Sequence, residues 1–267
     1  MNAFIARLRE KERGAPLGTF LMSGSPIVAE AIGCNGFEWA IVDAEHSPID
    51  VADVAHMLMA IGNTPMIPVV RAPWNEPVVI KRLLDAGAAT LLVPFVQDAK
   101  EAARAAAAVR YPPAGLRGMA GLSRASRFGT VADHFRRADA GVGLIVQIET
   151  PQALDRIEEI SAVEGVDAVF IGPTDLSGSM GLHGDGAHPD VQAAVKSAIA
   201  RCQRIGKPVG TLAATLEAAV ELARQGADFV VLASDLGLLL GQVRAAGSAW
   251  RVAFGSGHGG EASAVRY

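Results

Sequence analysis

The chain has 267 residues, with 24 basic against 28 acidic for a formal net charge of −4, and half of its residues are hydrophobic. That length suits one large domain or two small ones. The mildly acidic balance without a basic run excludes nucleic acid as the main partner, and no stretch reaches the ~18 uninterrupted apolar residues of a membrane span.

The opening segment, MNAFIARLREKERG, is charged and amphipathic and lacks the apolar core of an export signal. The two cysteines, Cys34 and Cys202, show no CxxC or Cys/His spacing and read as reduced packing residues. A cytoplasmic protein is therefore expected.

Short apolar runs then alternate with helical patterns. The runs cover 17–22, 39–43, 67–71, 90–93, 144–149, 168–171, 208–211 and 229–232. Strands separated by helices pair in parallel, because a parallel return needs a long crossover. Eight such units in about 230 residues predict a closed (β/α)8 barrel. An open dinucleotide-binding sheet should carry GxGxxG after its first strand, whereas the first run here is followed by Ser23, Gly24, Ser25 and Pro26. One barrel domain over 1–254 is expected, with a small-residue tail over 255–267 expected to fray. The segment 97–143 holds an Ala-rich helix near 99–110, then YPPAGLRGMAGLSRASRFG, then a polar helix near 133–138. Long irregular loops are often functional, and this one has the Arg and Gly content of a flexible loop facing an anion.

Polar residues cluster where the runs end: IVDAEHSP, VVRAPWN, IVQIET and VFIGPTDLS. In a (β/α)8 barrel the carboxyl ends of the strands form the active-site face. Strand alternation sends Gln147 and Glu149 to the same side. A carboxylate turned into an apolar barrel costs several kcal/mol unless it is paired or bound to metal. Glu149 and Asp175 thus make a candidate pair of hard oxygen ligands for Mg2+ or Mn2+; the alternative is a structural ion pair between Glu149 and a buried arginine. Arg71 ends its strand where it could stabilise an enolate oxygen, or simply close the rim as an ion pair. The turn Gly172-Pro173-Thr174-Asp175 offers free amides to a carboxylate. His46, preceded by Asp43 and Glu45, reads either as a general base with a carboxylate to orient it or as an ordinary surface histidine. None of the lysines (Lys11, Lys81, Lys100, Lys196, Lys207) ends a strand at its carboxyl end, which disfavours Schiff-base chemistry.

Taken together, VDAEHSP (42–48), VVRAPWNEP (69–77), IKRLLDAGA (80–88), LLVPFVQ (91–97), RYPPAGLRG (110–118), SRASRF (123–128), VQIETPQAL (146–154), VEGVDAVFIGPTDLSGSMG (163–181) and HPDV (188–191) resemble the HpcH/HpaI aldolase family. These are class II, metal-dependent pyruvate aldolases. The resemblance covers residues 18 to 237 and implies a modified (β/α)8 barrel whose last helix swaps between subunits, assembled as a homohexamer, a trimer of dimers. It implies that Glu149 and Asp175 hold a divalent metal (Mg2+, Mn2+ or Co2+) chelated by a 2-oxo acid. Gln147, Gly172, Pro173, Thr174 and Leu212 would contact that substrate, together with Arg71 and Asp175. Arg71 matches the arginine that stabilises the enolate, and His46 the acid/base histidine. Asp85 matches an aspartate that pairs with that histidine, with a subunit interface as one place for them to meet. Asp43 matches an acid that holds a metal-bound water.

The implied reaction is reversible cleavage of 4-hydroxy-2-oxo acids to pyruvate, or a related 2-oxo acid, and an aldehyde. Oxaloacetate decarboxylation is an expected side reaction, and aromatic-compound breakdown an expected setting. The alternatives are a malyl- or citryl-type acyl-CoA lyase on the same barrel and a non-catalytic barrel that binds 2-oxo acids. Phe20 stands where some relatives carry tryptophan, and the loop before SRASR is slightly shorter, so the resemblance implies no particular aldehyde.

Overall fold

Apolar runs buried on both faces become the strands: β1 (Leu17–Leu21), β2 (Trp39–Asp43), β3 (Ile67–Arg71), β4 (Thr90–Val93), β5 (Gly143–Ile148), β6 (Ala168–Ile171), β7 (Val209–Ala213) and β8 (Phe229–Ser234). The computed structural model describes residues 1–255; of the tail expected to fray over 255–267, all but Gly255 lies outside the described residues. All eight expected strands are present, with ends moved by no more than two residues. They pair in chain order, and β8 returns to β1 in parallel to close the barrel. The fold is a (β/α)8 barrel. No helix among the described residues is long and apolar enough to cross a membrane.

Local chemistry starts the helices at the carboxyl ends of the strands. Ser25, Asp50, Glu76, Asp98, Thr150, Thr215 and Ser234 each cap a helix by accepting first-turn amides, and Asp53 completes a capping box with Asp50. Each cap contributes about 1 kcal/mol. The strand-to-helix turns are thereby fixed along one rim.

The opposite end of the barrel is filled. Phe4 and Leu8 of the helix Ala3–Arg9 pack with Trp39 and Phe229 inside it, with Phe4 and Trp39 ring centroids 4.9 Å apart. Glycines make the room: a Cβ on Gly18 would lie 2.4 Å from the Trp39 ring, and one on Gly210 2.3 Å from the Phe229 ring. The outward faces of the strands meet the surrounding helices in a second apolar layer. With the amino end plugged, open space inside the barrel is left at the carboxyl end.

Two expectations change, that of the Arg-rich loop and that of Cys34 as a packing residue, and the last helix is largely uncovered. The Arg- and Gly-rich stretch after the helix Ala99–Ala108 connects a helix to the start of β5, so it lies at the amino end of the barrel, away from the strand ends that hold the polar residues. There Arg117 bonds Asp85 at 2.9 Å and Arg124 reaches the Ala86 carbonyl. Cys34 is exposed, whereas Cys202 is buried, as expected of a packing residue, and burial pushes its thiol up to about 12. The helix Asp235–Phe254 buries only Asp235, leaving Leu236, Leu239, Leu240, Val243, Trp250 and Phe254 exposed.

Candidate active site

The end of β2 lies beside the end of β3, with Asp43 opposite Arg71 in register. Arg71 therefore grips Asp43 with a two-pronged fork, Nε to Oδ1 at 2.8 Å and Nη2 to Oδ2 at 2.7 Å. Its remaining nitrogen, Nη1, lies 3.0 Å from Glu45 Oε2, and the guanidinium sits 4.8 Å from the Phe20 ring centroid. Burial on its own would raise the Asp43 carboxyl. The hydrogen bonds and charge of Arg71, with the amides of Glu45 and His46, outweigh it and hold the group below its ordinary value. Arg71 is thus the rim ion pair, and the same pair fixes the aim of its guanidinium.

Across the barrel, Gln147 and Glu149 do share a face: Gln147 Nε2 donates to Glu149 Oε2. The other oxygen of Glu149 accepts the Phe95 N–H at 2.8 Å. No arginine pairs with Glu149 among the described residues, so the structural-ion-pair alternative falls away. Burial, more than any neighbour, pushes Glu149 up to about 7; Asp175 and Glu45 add to the rise against the opposing hydrogen bonds of Gln147 and Phe95. Glu45 is also pushed up to about 7, by burial first and then by Asp43 and Asp175, against the pull of Arg71.

Asp175 raises both Glu45 and Glu149, and Glu45 also raises Glu149, so carboxylates crowd one another at this end of the barrel. Hard oxygen donors in this state fit a divalent cation. Among the described residues no three His, Cys, Asp or Glu side chains form a closed cage. Asp175 lines the open space at this end of the barrel, and Glu149 is buried behind Gln147 and Gly172 beside it.

Gly172 follows β6 and touches this cluster: a Cβ there would lie 2.7 Å from Glu149 Oε2 and 3.1 Å from Gln147 Nε2. Pro173 begins the helix Pro173–Ser179, whose first turn leaves the Thr174 and Asp175 amides without intrahelical acceptors. A cavity of about 530 Å3 opens here, lined by Arg71, Gln147, Gly172, Pro173, Thr174, Asp175 and His46, with Phe20, Phe170 and Leu212 among its apolar walls. His46 is half exposed at the rim; its Nε2 lies 3.6 Å from Glu45 Oε2, while Asp43 accepts its backbone N–H rather than its ring.

Asp85 is not brought to this site within the chain. It ends the helix Pro77–Asp85, which starts beyond the carboxyl end of β3 and runs back to the amino end, where Arg117 holds it. Sequence reasoning gave Glu45 no part beyond orienting His46, although its place between Asp43 and His46 at a strand end was the available signal. The amide of Phe95 gave no signal at all, because it depends on a backbone turn.

The sequence pattern of the HpcH/HpaI aldolase/citrate lyase family matches residues 17–241. The chain is 48% identical over 230 residues to a 2-dehydro-3,6-dideoxy-6-sulfogluconate aldolase of Pseudomonas putida, covering 86% of this chain and 90% of the relative. It is 45% identical over 222 residues to a 5-keto-4-deoxy-D-glucarate aldolase of Salmonella arizonae, covering 83% and 87%. The crystal structure of an HpcH/HpaI aldolase/citrate lyase family protein from Burkholderia cenocepacia superposes with a TM-score of 0.90 at 39% identity, over 94% of this chain and all of that one.

Proposed function

We propose a specific reaction for this chain, which belongs to the HpcH/HpaI aldolase/citrate lyase family and is a carbon–carbon lyase of aldolase type: reversible cleavage of 4-hydroxy-2-oxo acids to pyruvate, or a related 2-oxo acid, and an aldehyde. The observation that carries it is one cavity lined by a preorganised arginine, Arg71, and by Asp175, with the carboxylate of Glu149 directly behind its lining residues Gln147 and Gly172. The named substrates of the two relatives are sugar-acid derivatives, which supports a hydroxylated 2-oxo acid as the class.

Glu149 and Asp175 would hold a divalent cation, Mg2+, Mn2+ or Co2+. When bound, such a cation polarises the 2-oxo group as a Lewis acid. The Thr174 and Asp175 amides are placed to receive the substrate carboxylate. Gln147, whose Oε1 is buried without a partner, fixes Glu149 and the floor beneath the 2-oxo oxygen. Apolar Leu212 and Phe170 bound the space left for the methyl end of pyruvate.

As the C3–C4 bond breaks, its electron pair moves towards C3 and the 2-oxo oxygen while the C4 hydroxyl gives up its proton. Arg71 holds the charge that gathers on that oxygen; because Asp43 and Phe20 already fix the guanidinium, little reorganisation accompanies the step. Both Asp43 oxygens accept from Arg71, so positioning Arg71 is a part proposed for Asp43 beside holding a metal-bound water. His46, at the rim, takes the hydroxyl proton. Asp85 can support it only from a second copy of the chain. The exposed apolar helix Asp235–Phe254 supports such an assembly, proposed as a homohexamer built from dimers with this helix exchanged.

The test is pyruvate release from a panel of 4-hydroxy-2-oxo acids, before and after full chelation and on adding back Mg2+, Mn2+ or Co2+. Turnover that survives complete chelation refutes the cation-dependent reading. No pyruvate from any member of the panel refutes the reaction.

A further inference from the structure

Phe95 follows Pro94 at the end of β4 and has a φ of 55°, the left-handed region that L-residues other than Asn and Asp rarely occupy. The consequence is visible in the next two amides. In an extended strand, successive N–H groups point to opposite sides. Here both point at the end of β5: Phe95 N–H to Glu149 Oε1 at 2.8 Å, and Val96 N–H to the Gln147 carbonyl at 3.0 Å. The left-handed residue makes this turn, and without it Glu149 loses its only backbone donor among the described residues.

A strained backbone persists only where its surroundings hold it. The Phe95 ring stacks on Trp74, with centroids 5.8 Å apart and planes 24° from parallel. Both rings are partly exposed, so burying apolar surface in the core is not what this pair achieves. Trp74 belongs to the turn after β3, directly beyond Arg71, and is itself anchored: Asn75 Nδ2 donates to the Glu101 carbonyl at 3.0 Å, and Glu101 accepts the Gln97 N–H at 2.8 Å. Gln97 in turn accepts the Thr150 hydroxyl, next to Glu149. The turns after β3 and β4 are thus tied to the end of β5, with the aromatic stack as the link that bears on Phe95.

We propose that the Trp74–Phe95 stack is a positioning element for the carboxylate pair, holding the Phe95 N–H on Glu149 so that this carboxylate keeps one orientation towards a cation shared with Asp175. This inference rests on the cation-binding reading of the site. Neither ring lines the cavity; the stack acts through Glu149.

The experiment is titration of the full-length protein with Mn2+ alone, by calorimetry or paramagnetic resonance, alongside kcat and KM for pyruvate release. Removing a partner that orients a metal ligand weakens metal binding by about 10–100-fold, and Trp74→Ala is expected in that range, with Trp74→Phe restoring wild-type affinity. Phe95→Gly keeps the N–H and accepts the backbone angle but lacks the ring, and is expected to weaken Mn2+ binding similarly; it also serves if Trp74→Ala fails to fold. Folded Trp74→Ala and Phe95→Gly proteins that bind Mn2+ as wild type would overturn the inference while leaving the cation site intact, provided Glu149→Gln abolishes binding in the same series. A wild-type protein that takes up no Mn2+, or a Glu149→Gln variant that binds it unchanged, would overturn the cation reading and this inference with it.

Discussion

Gly172→Ala separates the fold from the chemistry. The added Cβ would sit 2.7 Å from Glu149 Oε2, 3.1 Å from Gln147 Nε2 and 3.3 Å from Glu149 Cβ. Carbon–oxygen contacts settle near 3.3 Å, so the carboxylate must retreat by about 0.6 Å. Gly172 itself has ordinary backbone angles, φ −93° and ψ 94°, so alanine brings no backbone strain. The atom most in the way is the tip of a side chain and can yield, while the Glu149 Cβ at 3.3 Å must give slightly with its backbone; overpacking of this kind costs about 1–3 kcal/mol. The position of that tip is, however, what the proposed reaction needs. A misplacement of about 1 Å costs around 100-fold in rate, so a 0.6 Å shift is expected to lower kcat/KM by about 10- to 100-fold and to weaken divalent-cation binding. Thermal melting checks the fold, calorimetric titration the cation, and pyruvate release the rate. A folded Gly172→Ala enzyme with wild-type cation affinity and kcat/KM would refute the placement of Glu149 at the heart of the site.

Arg71→Lys keeps a positive charge but loses the fork that grips Asp43; kcat is expected to fall by about 100- to 1000-fold with Mn2+ still bound, measured by turnover and titration in parallel. Glu149 and Glu45, both pushed up to about 7 in the cation-free protein, bind protons more tightly folded than unfolded. The folded state therefore holds more protons between the ordinary glutamate value and 7, and the stability of the chelated protein should fall as pH rises through that window. A cation must displace such protons, so its affinity should drop by about tenfold for each proton and pH unit below 7; melting curves with and without Mg2+ from pH 5 to 8 check both signs. In the helix Asp235–Phe254, Leu239 and Val243 lie one turn apart and exposed, and Leu239→Glu with Val243→Glu is expected to shift the protein to smaller assemblies by light scattering. Unchanged mass would remove that helix from the proposed interface.

The strands and their order were legible because they depend on short-range facts. Runs such as Trp39–Asp43 and Thr90–Val93 are buried at every position, and a strand covered on both faces is apolar along most of its length, with a polar residue such as Asp43 or Thr90 at an end, a pattern that any reading of the chain detects. The alternation that put Gln147 beside Glu149 is equally local, and the structure joins the two by a hydrogen bond. The Gly172 position was marked by its motif, although the reason for glycine, contact with Glu149 from the neighbouring strand, was not.

Residue order alone sends polar residues out of the carboxyl ends of four of the eight parallel strands, because side-chain direction and strand polarity follow from it. Which of those residues meet was decided by closure of the barrel. Closure set Arg71 in register with Asp43, turned Glu45 inward to a third carboxylate position, and carried Asp85 along its helix to the far end, away from His46. It also placed the Arg-rich segment on the amino face, since a helix-to-strand connection can lie nowhere else, and left the apolar surface of the last helix uncovered. Contacts between residues tens of positions apart depend on how the strands close and on the backbone angle at single residues such as Phe95. No local pattern in the chain records either one.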